Sequence, residues 1–222
     1  MKYDIGQPEG NLILKSVDIK KTPYLIIKRL IDIIGSFSGM LLLFPFFLLF
    51  AILIKIDSPK GPVIFKQVRV GKNGKQFNMY KLRSMCVDAE QQLEDLLKDN
   101  EIEGAMFKMR DDPRITRIGK LIRKSSIDEF PQLWNVFKGD MSLIGPRPPL
   151  PREVEEYTNY DKQRLLVIPG CTGLWQISGR NHLSFHQMVE LDLEYIRNIS
   201  FITDIKILFK TVGVLFDAED AY

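Results

Sequence analysis

The residues from Ile33 to Ile54 form an uncharged apolar run of 22 residues, with Pro45 at its middle. As a helix, such a run reaches across about 30 Å of hydrocarbon, so the remainder is expected to fold beside a membrane. Pro45 lacks a backbone donor and clashes with the carbonyl one turn back, which kinks or breaks a helix. Lys20, Lys21, Lys28 and Arg29 precede the run, and Lys55, Lys60, Lys66, Arg69, Lys72 and Lys75 follow it. Positive residues favour the cytoplasmic side, and here they flank both ends. Residues 25–56 therefore read as a re-entrant helix-break-helix with both ends cytoplasmic, preceded by an extension over residues 1–24. A single crossing and a buried core helix are the competing readings. Asp32 is spaced to share a helical face with Lys28 and Arg29, as in an ordinary interfacial ion pair. No cleavable signal peptide is expected, because the apolar run begins late and lacks a small-residue cleavage site, so the membrane segment should stay.

A chain of 222 residues can bury a real core, and residues 57–222 are expected to form one cytoplasmic domain. The formal charge of +3 is too weak for a dedicated nucleic-acid binder. It suits an anionic bilayer surface or phosphorylated substrates. Cys86 and Cys171 are isolated thiols without CxxC spacing. They argue against a zinc site or a disulfide framework, and read as packing residues in a reducing compartment.

Val63 to Val70 and Lys75 to Leu82, separated by Gly71-Lys-Asn-Gly74, have the pattern of a β-hairpin. Leu93, Leu96 and Leu97 predict an exposed amphipathic helix within residues 88–100. A basic helix is expected over residues 114–124, leading to two adjacent carboxylates, Asp128 and Glu129. Pro131 favours a helix starting near it, whereas Ser126 with Glu129 has capping-box spacing and favours an earlier start. Either way the carboxylates should lie at a helix N-terminus, where unpaired N–H groups favour negative charge. Gly139 is the natural stop for that helix. Ser184 and Gln187 should cap a further helix, and the apolar side of residues 201–216 could pack on the core or lie flat on a bilayer. The fold class is thus α+β: a mostly helical small catalytic domain with a β-hairpin, membrane-associated amphipathic helices and a re-entrant membrane segment.

An ionised aspartate can attack phosphorus if cations neutralise the target. Asp128 is the candidate nucleophile, and Glu129 could help to hold a metal or manage a proton. Attack on a diphosphate also needs its oxygens held and the departing phosphate stabilised, work usually done by Mg²⁺ and by Arg or Lys. Arg147 lies in Gly145-Pro-Arg-Pro-Pro149, where prolines limit its wandering and favour bidentate phosphate recognition. Lys81, Arg83, Arg110, Arg114, Arg117 and Arg123 are the other candidate cations near this chemistry. Taken singly, the acid pair could merely cap a helix and Pro-Arg-Pro could be a rigid surface turn. His182 and His186 are four apart, but no third ligand is evident and Mg²⁺ prefers oxygen, so structural or substrate-loop positions are favoured.

The ordered motifs from Lys28-Arg-Leu-Ile-Asp32 through Asp57-Ser-Pro-Lys-Gly-Pro-Val63, Tyr80-Lys-Leu-Arg-Ser-Met85, Asp112-Pro-Arg114, Asp128-Glu-Phe-Pro-Gln-Leu-Trp-Asn135, Gly139-Asp-Met-Ser-Leu-Ile-Gly-Pro-Arg-Pro148 and Gly173-Leu-Trp-Gln-Ile-Ser-Gly-Arg180 to Ala221-Tyr222 resemble the bacterial sugar transferase family of monotopic phosphoglycosyl transferases. The resemblance implies a two-step exchange. The residue matching Asp128 attacks the β-phosphate of a UDP-sugar and releases UMP, and polyprenol (undecaprenyl) phosphate then takes the sugar phosphate. It further implies Mg²⁺ held by Asp128 and Glu129, nucleotide or phosphate contact by Arg147, and a place on the cytoplasmic face of a bacterial plasma membrane. Phe44 stands where many relatives have a serine before the helix-breaking proline. The Trp175–Arg180 motif hints at galactose or glucose in capsule or exopolysaccharide synthesis. A scaffold that has lost the chemistry and a phosphohydrolase using the same intermediate are the other functions considered. Oligomeric state is left open, a homodimer included.

Overall fold

The computed structural model describes residues 22–101, 107, 109, 111–179 and 183–216. Most of the expected N-terminal extension, Arg110, Arg180, His182 and Ala221-Tyr222 lie outside the described residues. The apolar run belongs to helix α1, Thr22–Asp57, which contains 36 residues and includes Pro45. The expected division into two helices is therefore not seen. A proline removes one backbone donor while the turns on either side keep theirs, so a helix can continue across it. This helix is long and apolar enough to cross a membrane.

Helix α1 meets the rest of the protein near both ends. Toward its start, Tyr24 and Lys28 reach Asp204, and further along Gly35 and Gly39 admit the Leu143 and Leu133 side chains, which a Cβ on either glycine would meet at 2.8 and 2.9 Å. Toward its finish, Phe50 and Ile54 bury against Leu82 and Ile122. Between these contacts residues 41–46 are all exposed. The expected pairing of Asp32 with Lys28 and Arg29 does not form. Lys28 instead donates to Asp204 at 2.7 Å, and Asp32 accepts from the Leu143 amide at 2.9 Å.

The hairpin forms as expected from β1, Ile64–Val70, and β2, Gln76–Leu82, with Ile64 opposite Leu82 and Val70 opposite Gln76. Its connection turns through Asn73 at φ 55 and Gly74 at φ 73, left-handed conformations that asparagine and glycine tolerate best. The helix expected across residues 88–100 shrinks to α2, Leu93–Leu96, followed by a 3₁₀ turn, Leu97–Asp99. Three leucines cover too little surface to hold a longer helix, and Leu97 stays exposed.

Helix α3, Arg117–Lys124, starts at Thr116, whose hydroxyl accepts the Gly119 amide at 3.0 Å. Gly119 sits so close to the chain beside the hairpin that a Cβ would meet the Ser84 carbonyl at 1.9 Å. Helix α4, Gln132–Lys138, ends at Gly139 with φ 92, the expected glycine stop. Strand β3, Ser142–Ile144, pairs in parallel with β4, Gly170–Thr172, and a short helix α5, Pro151–Glu155, lies between them in the chain.

Helix α6, Phe185–Arg197, opens with the predicted capping box, in which Ser184 N donates to Gln187 Oε1 at 2.8 Å. Val189, Leu193 and Ile196 of α6 join Ile144, Val167 and Ile207 in the core. Helix α7, Phe201–Phe216, packs on the core: Asp204 and Ile207 are buried, while Ile202 and Phe209 face outward. At the junction of α1, α6 and α7, Asp204 accepts from the hydroxyls of Tyr24 at 2.5 Å and Tyr195 at 2.9 Å as well as from Lys28.

Candidate active site

The turn carrying Asp128 is built by a change of backbone direction after α3. Ser126 adopts φ 55, and Ile127–Glu129 then form a single 3₁₀ turn before Pro131 caps α4. The predicted Ser126–Glu129 capping box is absent: Ser126 makes no side-chain cap, and Glu129 instead accepts Lys81 Nζ at 2.8 Å. The carboxylates thus precede α4 and do not occupy its first turn, so side-chain cations provide the compensation expected from a helix terminus. Apolar neighbours fix the turn. Ile127 packs on the cluster of Phe50, Ile54, Leu82 and Ile122, and the Phe130 ring lies 6.1 Å from that of Phe47.

Held this way, Asp128 is 7% exposed. Burial pushes its pKa up to about 6; Lys81 draws it down, Glu129 raises it, and Arg123 lowers it. It therefore remains mostly ionised at neutral pH while having little water around it, the condition of a reactive carboxylate. Arg123 is oriented by Ser84, whose hydroxyl accepts from Nε at 2.9 Å. Burial holds the Arg123 pKa below its ordinary value, and the charges of Asp128 and Asp112 work against that loss.

The loop carrying Arg147 is fastened through its carbonyls. Gly170 N donates to Pro146 O at 2.9 Å, Arg69 Nη1 to Pro148 O at 2.9 Å, and Val70 N to Pro149 O at 2.9 Å. Gly145 and Gly170 make the crossing possible, since a Cβ on Gly170 would meet Gly145 N at 2.1 Å. Arg147 itself is half-buried. Its charge acts on Arg69 and on Asp192 of α6, which forms a buried ion pair with Arg164. Burial opposes the Arg164 charge, but Asp192 overrides it and keeps the guanidinium pKa above its ordinary value.

The charges of Lys81 and Arg123 thus act on Asp128, whereas the guanidinium groups of Arg83 and Arg114 are engaged elsewhere. Arg83 turns toward the segment after α1 and donates to the carbonyls of Lys60 and Ser58, the latter at 2.5 Å. Arg83 follows directly after β2, and its i, i+2 spacing from Lys81 favours a shared face, but the tight segment at Gly61 captures its side chain. Arg114 is committed to Asp112 at 2.6 Å and to the Ala89 carbonyl at 3.0 Å, and it contributes to the site through its charge near Arg123. Arg117 belongs to the first turn of α3. His186 is exposed on α6.

Two functional candidates had no clear sequence signal. Arg69 reads as one more cation after the apolar run, yet it is buried against the Arg147 loop. Burial and then the like charge of Arg147 pull its pKa down to about 9, with Glu153 and Glu129 acting against them, so it remains charged at neutral pH. Asn135 is fully buried and joins α4 to the strand bearing Lys81: Tyr80 N donates to Oδ1 at 3.0 Å and Nδ2 donates to Asn78 O at 2.7 Å. An asparagine inside a short helix is a poor helix former, and that misfit was the available signal.

The arrangement is chemically an oxygen nucleophile set among cations, suited to a phosphoryl target. Asp128 and Glu129 offer only carboxylate oxygens, and no cluster of three or more His, Cys, Asp or Glu able to hold a metal occurs among the described residues. That donor set fits Mg²⁺, which keeps several waters and commonly takes one or two carboxylates plus substrate phosphate oxygens.

Residues 23–218 match the family model described as bacterial sugar transferase. The chain belongs to the bacterial sugar transferase family. Among its relatives, galactosyl transferase CpsE of Streptococcus agalactiae serotype III is 50% identical over 92% of this chain and 45% of the relative. The undecaprenyl-phosphate galactose phosphotransferase of Salmonella typhimurium is 42% identical over 88% of this chain and 42% of the relative. Exopolysaccharide production protein ExoY of Rhizobium meliloti is 39% identical over 88% of both chains. This sugar transferase chain therefore spans about half the length of two of these relatives and most of the third.

Proposed function

We propose that the protein transfers a sugar 1-phosphate from a UDP-sugar to polyprenol phosphate, through a covalent intermediate on Asp128. The observation that carries this reading is Asp128 itself, 7% exposed between Lys81 and Arg123 on a turn pinned by apolar packing. One Asp128 carboxylate oxygen attacks the β-phosphorus of the UDP-sugar. The bond from that phosphorus to the bridging oxygen breaks, and UMP departs with the electron pair. An oxygen of polyprenol phosphate then attacks the same phosphorus, the Asp128 oxygen leaves, and polyprenyl diphospho-sugar is formed.

Lys81 and Arg123 offset charge on the phosphoryl oxygens and Arg147 holds the nucleotide or phosphate, with Arg69 fastening its loop. Asp128 and Glu129 would hold Mg²⁺, which when bound supplies charge neutralisation at the diphosphate. The half-buried Lys81–Glu129 pair keeps Glu129 beside the nucleophile.

The membrane reading is a re-entrant α1 on the cytoplasmic face of the plasma membrane. Two observations support it: both ends of α1 engage the same domain, and the exposed apolar residues 41–46 around Pro45 lie between those contacts. Bilayer lipid would cover that segment, and the outward apolar side of α7 adds to the same kind of surface. The names of the galactose-transferring relatives favour galactose as the sugar.

Purified protein supplied with UDP-galactose, Mg²⁺ and undecaprenyl phosphate should release UMP and form a lipid-linked sugar, and Asp128→Asn should abolish both. Full activity in that variant would refute the aspartyl intermediate. Steady UMP release at the same rate without the lipid acceptor would establish hydrolysis instead.

A further inference from the structure

Arg29 and Asp32 sit in the charged flank of an apolar helix, the place where side chains ordinarily meet headgroups or one another. Here both turn inward. Arg29 Nη1 donates to Val136 O at 2.6 Å and Nη2 to Phe137 O at 2.7 Å. These carbonyls belong to the last turn of α4; Val136 O also accepts Gly139 N at 3.0 Å, and Arg29 adds a charged donor to these closing carbonyls. The guanidinium fits there because Gly139 has no Cβ; one would meet Arg29 Nη2 at 3.2 Å.

Asp32 is 5% exposed, and its Oδ1 accepts Leu143 N at 2.9 Å and Ser142 Oγ at 3.1 Å. Strand β3 pairs with β4 through Ser142 and Ile144. The Leu143 amide points the other way, toward an edge that no strand flanks among the described residues, and Asp32 satisfies that donor. Ser142 Oγ in turn accepts Ile144 N at 3.3 Å. At the end of β3 the Tyr195 hydroxyl, which donates to Asp204, lies 3.3 Å from Ile144 O.

Two elements gripped by one helical turn of α1 are the two that frame the site. Helix α4 follows directly after Asp128 and Glu129, and β3 runs directly into the loop of Arg147. Both are short, at seven and three residues, so a shift at the gripped end reaches the site with little lost to bending. We propose that Arg29 and Asp32 are positioning residues: they fix Asp128 against Arg147 and make the reaction depend on how α1 is seated. The inference rests on the transfer reaction proposed above. Misplacing reacting groups by about 1 Å can cost on the order of 100-fold in rate.

The test is single-turnover UMP release by the full chain in lipid nanodiscs with UDP-galactose, comparing wild type with Asp32→Leu, Arg29→Lys and Ser142→Ala. Each keeps size and most packing, and Ser142→Ala guards against a misfolded Asp32 variant. Positioning predicts a release rate constant lowered about 10- to 100-fold for the two α1 variants, with a UMP amplitude per total protein like that of wild type. A smaller drop is expected for Ser142→Ala. A reduced amplitude at an unchanged rate constant would mean that these residues only maintain the fold, and would overturn the inference. So would wild-type rates in all three variants, or release of the α1 variants from membranes by an alkaline wash, which marks a lipid-anchoring role. Absence of UMP release in the wild type itself would instead overturn the proposed reaction.

Discussion

Lys81 on β2 holds Glu129 at 2.8 Å, so the hairpin is bolted to the turn that carries Asp128. The pair is partly solvated, and its worth to stability alone is small, about 0–1 kcal/mol. Its value lies at the phosphoryl site. Lys81→Met should lower kcat by about 10- to 1,000-fold with little change in thermal stability, since it removes a charge acting on Asp128 and the phosphoryl oxygens. UMP-release kinetics and a melting curve check both halves; loss of stability with intact kcat would contradict it.

The raised Asp128 pKa has a stability consequence with a definite sign. In the unfolded chain the carboxyl titrates near 3.9, and in the folded protein burial moves it to about 6. The folded state therefore holds the extra proton between those values, and stability falls as pH rises through that window. Asp128→Asn escapes this cost. Without Mg²⁺ it should unfold at higher temperature than wild type at pH 8, by about 1–3 kcal/mol in stability, and the gain should vanish below pH 4. Calorimetry at the two pH values decides it.

The same group predicts a pH–rate profile. Attack needs ionised Asp128, so kcat/KM should rise with pH through a midpoint at about 6 or below, because a bound cation favours the charged form. A midpoint above 7 would rule out Asp128 as the group observed.

Asn135 should be intolerant of truncation. Asn135→Ala leaves the Tyr80 amide and Asn78 carbonyl, both facing the buried Asn135, without their side-chain partner. Denaturant unfolding should show a loss of about 2–4 kcal/mol, and the displaced β2 should lower UMP release as well.

Gly119→Ala should be worse, because the added Cβ would meet the Ser84 carbonyl at 1.9 Å and backbone on both sides must move. Soluble yield and melting temperature should both drop sharply, while Gly213→Ala, with nothing within 4 Å, should leave them unchanged.

Much of this was written locally. Alternating residues and a glycine-bounded turn predict the hairpin, Ser184 and Gln187 predict the start of α6, and Gly139 predicts the end of α4, because each is decided by neighbours in the chain. The adjacent acids and the proline-flanked Arg147 likewise mark the candidate site without coordinates. Long-range partners were not legible. Ser126 and Glu129 had the spacing of a cap, but Lys81, 48 residues away in sequence, takes the glutamate. Arg83 was readable as a candidate cation, but its bonds to the carbonyls of Ser58 and Lys60 were not. Asp32 had Lys28 and Arg29 at helical spacing, yet β3 offered an unpaired amide that could not be left buried alone. The sequence by itself determined the apolar run, the local elements and the chemical character of the site. Only the tertiary structure decided which cation faces which carboxylate, since burial makes each polar group take the partner that packing brings within reach.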